Sequence, residues 1–114
     1  MTISTGESNR AFRVATNFDM SSSTDLQLDF TDPNDVTSTL TSSTTPAVTA
    51  PAVAVTDPDL GALAASTYME FDTITTSFTV AGTWKVCPTY TNTGTTPDSI
   101  YEGSVVTFKV LAGC

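Results

Sequence analysis

The sequence predicts an all-β fold, an antiparallel sandwich of two sheets with about seven strands. Side chains of opposite character alternate along several short segments, as expected of strands with one buried and one solvent-facing side. Pro, Gly, Asn and Asp separate these segments, and no amphipathic helix lies between them. Because parallel crossovers need about a dozen residues or more and usually a helix, we expect antiparallel pairing. Threonine, about a fifth of the chain, also favours strands.

Two early segments, residues 10–16 and 25–30, show the alternation most clearly. An Asp-Pro-Asn-Asp run at residues 32–35 then predicts a turn that ends the second strand. The apolar side chains of both strands share one face and are predicted to enter the core: Phe12, Val14, Leu26, Leu28 and Phe30.

The middle of the chain, residues 36–65, allows two interpretations. In the first, residues 36–41 and 48–55 form strands, the second at a sheet edge because Pro51 cannot donate a ladder hydrogen bond. In the second, this Thr, Pro and Ala-rich segment is a flexible loop. We expect residues 60–65 to form a single helical turn that covers one end of the core.

The segment from residue 67 to residue 110 predicts two extended runs, a turn at residues 80–82, a polar loop and a closing strand. Trp84 is either a core aromatic or an exposed platform for a glycan. The core is favoured, because Trp84 and Val86 share one face of the predicted strand while Lys85 takes the other. The predicted core residues of this segment are Phe71, Trp84, Val86 and Phe108.

Length and charge limit the class of protein. The 114 residues are predicted to form one domain, with residues 1–9 as an N-terminal arm, 10–111 as the sandwich and 112–114 as a C-terminal tail. The net charge is -8, with 4 basic residues against 12 acidic ones. We therefore expect no direct nucleic-acid binding and no attraction to anionic membranes. The first residues lack the basic and apolar runs of a secretory signal, which predicts synthesis in a host cytoplasm.

The two cysteines are not expected to form a disulfide. An antiparallel pairing of residues 83–91 with 103–111 places Cys87 opposite Val106 or Thr107, too far from Cys114 for a bridge. The alternative, a redox or metal-binding pair, has neither a histidine nor a third thiol to complete it.

No catalytic pattern is evident in the sequence. The chain has no histidine and no serine in a Gly-x-Ser-x-Gly turn. Three acidic pairs could either hold Ca²⁺ or accept hydrogen bonds in turns, and the second role is favoured because none matches a known Ca²⁺ loop. We therefore predict no enzyme activity, no metal and no cofactor. The pairs are Asp32/Asp35, Asp57/Asp59 and Glu70/Asp72.

Three strings together resemble a pattern in Ig-like modules of tailed-bacteriophage structural proteins. They are an aromatic strand at residues 68–71, an Ala-Gly-Thr-Trp corner within 78–86, and a Gly-Ser-Val-Val-Thr-Phe-Lys-Val strand at 103–110. Residues 24–33 are similar to the early strand of that family, which ends in a Pro turn. The modules in question look like the N-terminal domain of phage baseplate upper proteins. Residues 36–65 depart from this pattern in being richer in Thr, Ala and Pro.

The resemblance implies an Ig-like β-sandwich in a virion, present in many copies and without chemistry of its own. We expect a structural protein that assembles with other phage structural proteins on the tail, neck or baseplate through surface and edge-strand contacts. The alternatives are a capsid decoration protein on the head exterior and a carbohydrate-binding or adhesin module. Expected partner contacts, besides the edge strands, are Tyr90, Tyr101 and Leu111.

Overall fold

A computed structural model describes residues 2–21, 23–92 and 99–112, which form ten β-strands and no helix. The all-β prediction is therefore confirmed. The strands are more numerous than the seven or so expected, because several are pieces of three or four residues. In chain order they are β1 Thr2–Ser4, β2 Ala11–Ala15, β3 Ser23–Thr31, β4 Thr37–Thr41, β5 Val55–Asp57, β6 Gly61–Leu63, β7 Tyr68–Asp72, β8 Gly82–Asn92, β9 Ser99–Glu102 and β10 Val106–Leu111.

The largest sheet, called sheet A here, has the strand order β1-β10-β8-β3-β4, and β9 also pairs with β8. Its neighbours are antiparallel except for β1, which runs parallel to β10. The expectation of antiparallel pairing thus fails at one edge. A parallel pair needs a long connection, and here nearly the whole described chain lies between β1 and β10.

Two small sheets complete the fold. In sheet B, β2 pairs antiparallel with β7, with Phe12 opposite Phe71, and an isolated bridge from Thr49 to Glu70 extends it. In sheet C, β5 pairs antiparallel with β6. The two extended runs expected on either side of residues 80–82 correspond to β7 and β8, which lie in different sheets. The segment between them therefore connects sheet B to sheet A.

The core lies between sheet B and one face of sheet A, and its centre is aromatic. The ring of Phe12, on β2, lies 5.8 Å from Phe30 and 4.9 Å from Phe108, centroid to centroid, and both partners are on sheet A. Trp84 stacks on Phe108 at 6.2 Å and meets Phe78 edge to face at 5.2 Å. All nine side chains predicted for the core are buried: Phe12, Val14, Leu26, Leu28, Phe30, Phe71, Trp84, Val86 and Phe108.

The middle of the chain divides between the two interpretations given for it. Strand β4 occupies the first predicted strand segment. Residues 48–54 contribute only the bridge at Thr49, and the helical turn expected at residues 60–65 is wrong, because β6 forms there instead. The reason is local: the Asp57 carboxylate accepts the N–H groups of Asp59 and Leu60, and this tight turn sends the chain back alongside β5.

The pairing predicted around Cys87 is confirmed only in part, because residues 89–92 pair with β9, in the segment expected to be a loop. Val86 lies opposite Val106, within a residue of the expected register. The Sγ atom of the half-buried Cys87 lies 3.4 Å from the carbonyl oxygen of Gly103. Cys114, the other thiol of the prediction, lies outside the described residues.

Candidate functional site

The three side chains predicted to contact partners have different locations. Tyr90 lies in the core with 4% of its surface exposed, so the prediction of an accessible ring is wrong for it. The cause is its position on the same face of β8 as Trp84 and Val86. Leu111, at the end of β10, is exposed. The side chain of Tyr101 lies outside the described residues.

The edge of sheet A at β4 presents backbone groups to solvent. Asp32 N–H donates to the carbonyl of Val36 at 2.9 Å, which turns the hydrogen-bonding groups of Val36 towards β3. Because these groups alternate along an antiparallel strand, those of Thr37, Thr39 and Thr41 point away from β3. This edge is therefore a template for a further strand.

Only part of this edge is open. At Thr41 the outward N–H donates to Thr44 Oγ1 at 3.0 Å, and the outward carbonyl accepts from Val48 N–H at 3.0 Å. Within the described chain, no hydrogen bond reaches the outward backbone groups of Thr37 and Thr39, and both residues are exposed. The open part of the edge thus ends at the turn that follows β4.

A cavity of about 170 Å³ lies beneath β4, on the face of sheet A that carries the core. Sheet B, formed by β2 and β7 with the bridge at Thr49, contributes Phe71 to the lining of this cavity. Three phenylalanine rings form the apolar floor of this cavity, and smaller side chains form its rim. The main lining residues are Phe30, Phe71, Phe78, Ser38, Leu40 and Pro46.

The outer face of the same edge is polar and carries carboxylates. Asp29, on β3, accepts hydrogen bonds from Thr39 Oγ1 at 2.8 Å and from Gln27 Nε2 at 2.9 Å. In the turn before β4, Asp32 Oδ1 accepts the N–H groups of Asn34 and Val36. These acids hold the strand and its turn in place, which is the turn role that the sequence favoured for Asp32.

A partly buried ion network, in which Asp57 is the fully buried member, joins sheets B and C on another side of the molecule. Arg13 on β2 bonds Asp57 Oδ2 on β5 through Nη1 and Glu70 Oε2 on β7 through Nε, each at 3.0 Å. Burial alone acts to raise the pKa of Asp57, but the backbone hydrogen bonds of its turn and the Arg13 guanidinium outweigh it and lower that pKa. The network fastens the β5–β6 hairpin to the rest of the fold.

The acidic residues of this network are thus occupied by a cation of the chain itself. Across the described residues, His, Cys, Asp and Glu side chains form no group of three or more that could hold a metal ion. No helix in that part of the chain is long and apolar enough to cross a bilayer.

Similarity to other proteins adds nothing to these geometric observations. No family model matches the chain, and no curated protein matches it. The β4 edge with its cavity is therefore the candidate functional site on structural grounds alone.

Proposed function

We propose that this chain is a non-enzymatic structural protein of a tailed-bacteriophage virion. It assembles on the tail, neck or baseplate through surface and edge-strand contacts, as the resemblance of residues 68–71, 78–86 and 103–110 implies. The observation that carries the proposal is the open β4 edge, because an edge with unpaired backbone groups is suited to pairing with another chain.

We also propose that the all-β fold is an Ig-like β-sandwich. Support comes from sheet B, whose Phe12 and Phe71 pack against Phe30 of sheet A with centroid distances of 5.8 Å each. Two layers that share one aromatic core are the architecture of such modules. The antiparallel pairs of β8 with β3 and β10 are consistent with it, and β1 and the short hairpin of sheet C are additions to it.

The charge favours a position on the outside of a particle. A net charge of -8 disfavours a surface that faces packaged DNA. The same observation suits a capsid decoration protein on the head exterior, which is therefore the second candidate. A carbohydrate-binding or adhesin module is less well supported, because Tyr90 and Trp84 are buried and cannot form an exposed stacking platform.

Quantitative mass spectrometry of gradient-purified particles tests this proposal. The chain should sediment with the particles and keep a fixed ratio to the major capsid protein through successive gradients. A copy number on the order of tens per particle indicates the tail, and a copy number on the order of hundreds indicates the head. Recovery of the chain only among unassembled proteins at the top of the gradient would contradict the proposal.

A matched control separates assembly from adsorption. Purified chain carrying a heavy-isotope label is added to particles before the gradient. An assembled protein yields particle-bound unlabelled peptides with little label. Equal labelled and unlabelled fractions on the particles would show that the chain merely adsorbs, and this result would also overturn the proposal.

A further inference from the structure

We propose that the β4 edge pairs with the β4 edge of a second copy of this chain, across a two-fold axis beside Ser38. The contact identifies the surface that joins neighbouring copies. Its biological role rests on the proposed function. The pairing itself is a property of the isolated protein, so its test is independent of any particle.

The hydrogen-bonding groups of β4 have the spacing that such a pair needs. The outward groups belong to Thr37 and Thr39, which lie symmetrically on either side of Ser38. In an antiparallel pair centred on Ser38, Thr37 therefore lies opposite Thr39 of the second copy, and Thr39 opposite its Thr37. Each of these two pairs exchanges both of its backbone hydrogen bonds. The pairing stops before Thr41, whose outward groups are already bonded within the chain.

The side chains on the inner face complement one another in the same register. Val36 is 60% exposed, and in this register it lies across from Leu40 of the second copy. Leu40 is half-buried at the rim of the cavity beneath β4. Cross-strand neighbours have Cβ atoms about 4.5–5.5 Å apart, close enough for Val36 to cover the apolar rim of the other copy. The contact between Val36 and Leu40 thus buries aliphatic surface that is accessible to water in the isolated chain.

The charges around the edge also permit a second copy. The acids Asp32 and Asp35 lie in the turn before β4, and in this register they face the uncharged Ser and Thr turn, residues 41–44, of the other copy. The two copies of Asp29 lie three strand spacings and two residues apart, roughly 16 Å. That separation exceeds the screening length of about 8 Å in physiological salt, so their repulsion is small.

The contact is short, and its predicted strength follows from that. Five residues per copy, Val36 to Leu40, make a much smaller interface than a stable dimer usually has. We therefore expect weak, concentration-dependent association of the isolated chain. In a multi-copy assembly, neighbouring copies are held close together, and a weak contact becomes occupied without any further interaction.

Sedimentation velocity over a concentration series, from about 10 μM to about 1 mM, tests the pairing with a matched pair of variants. Thr37→Pro removes an outward N–H that the fold does not use, and with it two of the four hydrogen bonds between copies. Thr37→Val keeps that N–H and the branched shape. We expect the wild type and Thr37→Val to dimerise alike, and Thr37→Pro to dissociate at least about tenfold more readily. A wild type that stays monomeric throughout, or equal association of Thr37→Pro, would overturn the proposal.

Cysteine cross-linking decides the register, also in the event that Thr37→Pro fails to fold. In a background of Cys87→Ala and Cys114→Ser, Ser38→Cys places two thiols at the two-fold axis, where Cα atoms are about 4.5 Å apart and a disulfide fits. Thr37→Cys is the control, because its symmetry mate lies about 8 Å away, beyond disulfide range. Mild oxidation should give covalent dimers of Ser38→Cys alone. Equal cross-linking of both variants, or of neither, would contradict the pairing.

Discussion

Strands β1 and β4, which lie at the two ends of the strand order of sheet A, differ in how completely they cover the core. At one edge, β1 buries Ile3 with 1% of its surface exposed, and Thr5 N–H donates to the carbonyl of Leu111 at 2.8 Å. Glu7 accepts the N–H of Ser4 at 3.0 Å and so holds the turn that follows. At the other edge, β4 presents an exposed Ser38 to the inner face, above a cavity.

The comparison shows why the core is covered at the β1 edge, called the sealed edge here, and is accessible from solvent at the β4 edge, called the open edge. A single large apolar side chain, with a turn tied back by hydrogen bonds, is enough to fill the core beneath β1. A small polar side chain in the equivalent inward position of β4 leaves the core reachable from outside. Sealed and open edges thus differ by a few side chains, and substitutions at those positions should change one edge without changing the other.

The largest effect is expected from Ile3→Ala, which breaks the sealed edge. Removal of a fully buried aliphatic side chain should lower the free energy of unfolding by about 2–4 kcal/mol, measured by urea denaturation. The matched change at the open edge, Leu40→Ala, should cost about 1 kcal/mol, because Leu40 is only half-buried. Equal losses for the two variants would show that the edges do not differ in this way.

A smaller loss of stability is expected from Gly82→Ala, because Gly82 lies against the turn that precedes β4 at the open edge. Gly82 has φ +135°, and a Cβ added there would lie 2.7 Å from Cγ of Pro33, in the turn before β4. Strain and this clash should together cost about 1–3 kcal/mol.

Gly6→Ala, next to β1, is the control for Gly82→Ala. Gly6 also has a positive φ, +73°, but a Cβ there would meet nothing within 4 Å. Its cost should therefore be smaller, about 1 kcal/mol. Hydrogen exchange should show faster opening at Val36 and Ser38, whose N–H groups are bonded to Asp32 and to β3, for Gly82→Ala alone. Faster opening confined to β1 in both variants would refute this account of the turn.

Filling the cavity should strengthen the open edge. Ser38→Val adds apolar surface facing Phe30, and we expect an increase of about 0.5–1.5 kcal/mol in the free energy of unfolding. Thr37→Val, on the outer face of the same strand, should change that free energy by less than about 0.5 kcal/mol. A loss of stability in Ser38→Val would mean that the space beneath β4 cannot accept a side chain.

The smallest expected effect is a pH dependence of hydrogen-exchange protection that is confined to β1, at the sealed edge. The N–H of Ser4 is the largest cause of the lowered pKa of Glu7, burial opposes this effect, and Arg10 adds to the lowering. A lowered pKa means that the contribution of Glu7 is complete above the ordinary pKa of a glutamate and is lost as pH falls through the lowered one. Hydrogen-exchange protection of β1 should therefore decline with acid, and Glu7→Gln should remove that dependence. An equal acid-induced decline at β4 would contradict this assignment.

Strands with strict alternation could be predicted from the sequence, and the buried faces of β2 and β3 are those expected. Short strands at the sheet edges could not be predicted in this way. In β1, Ile3 stands alone between polar residues, so no period is visible, and its burial depends on pairing with β10 at the far end of the chain. Phe78 was missed for a similar reason, since it enters the core from a loop rather than from a strand.

The candidate site was predictable only in outline. Edge strands were expected to carry the contacts, but the open part of β4 depends on which backbone groups Thr44 and Val48 satisfy, and no sequence pattern reports that. Tyr90 lies on the same face of β8 as Trp84, so the alternation that placed Trp84 in the core also predicted its burial. For Tyr90, strand alternation is thus the better guide to burial than its aromatic character, on which the expected partner contact depends.

Electron cryomicroscopy of intact particles tests the central claim, the virion role, most directly. The account predicts a repeated all-β density on the tail, neck or baseplate that accepts this fold, with the β4 edge of each copy facing another chain. The result that would contradict it is a particle map whose densities are all assigned to other chains.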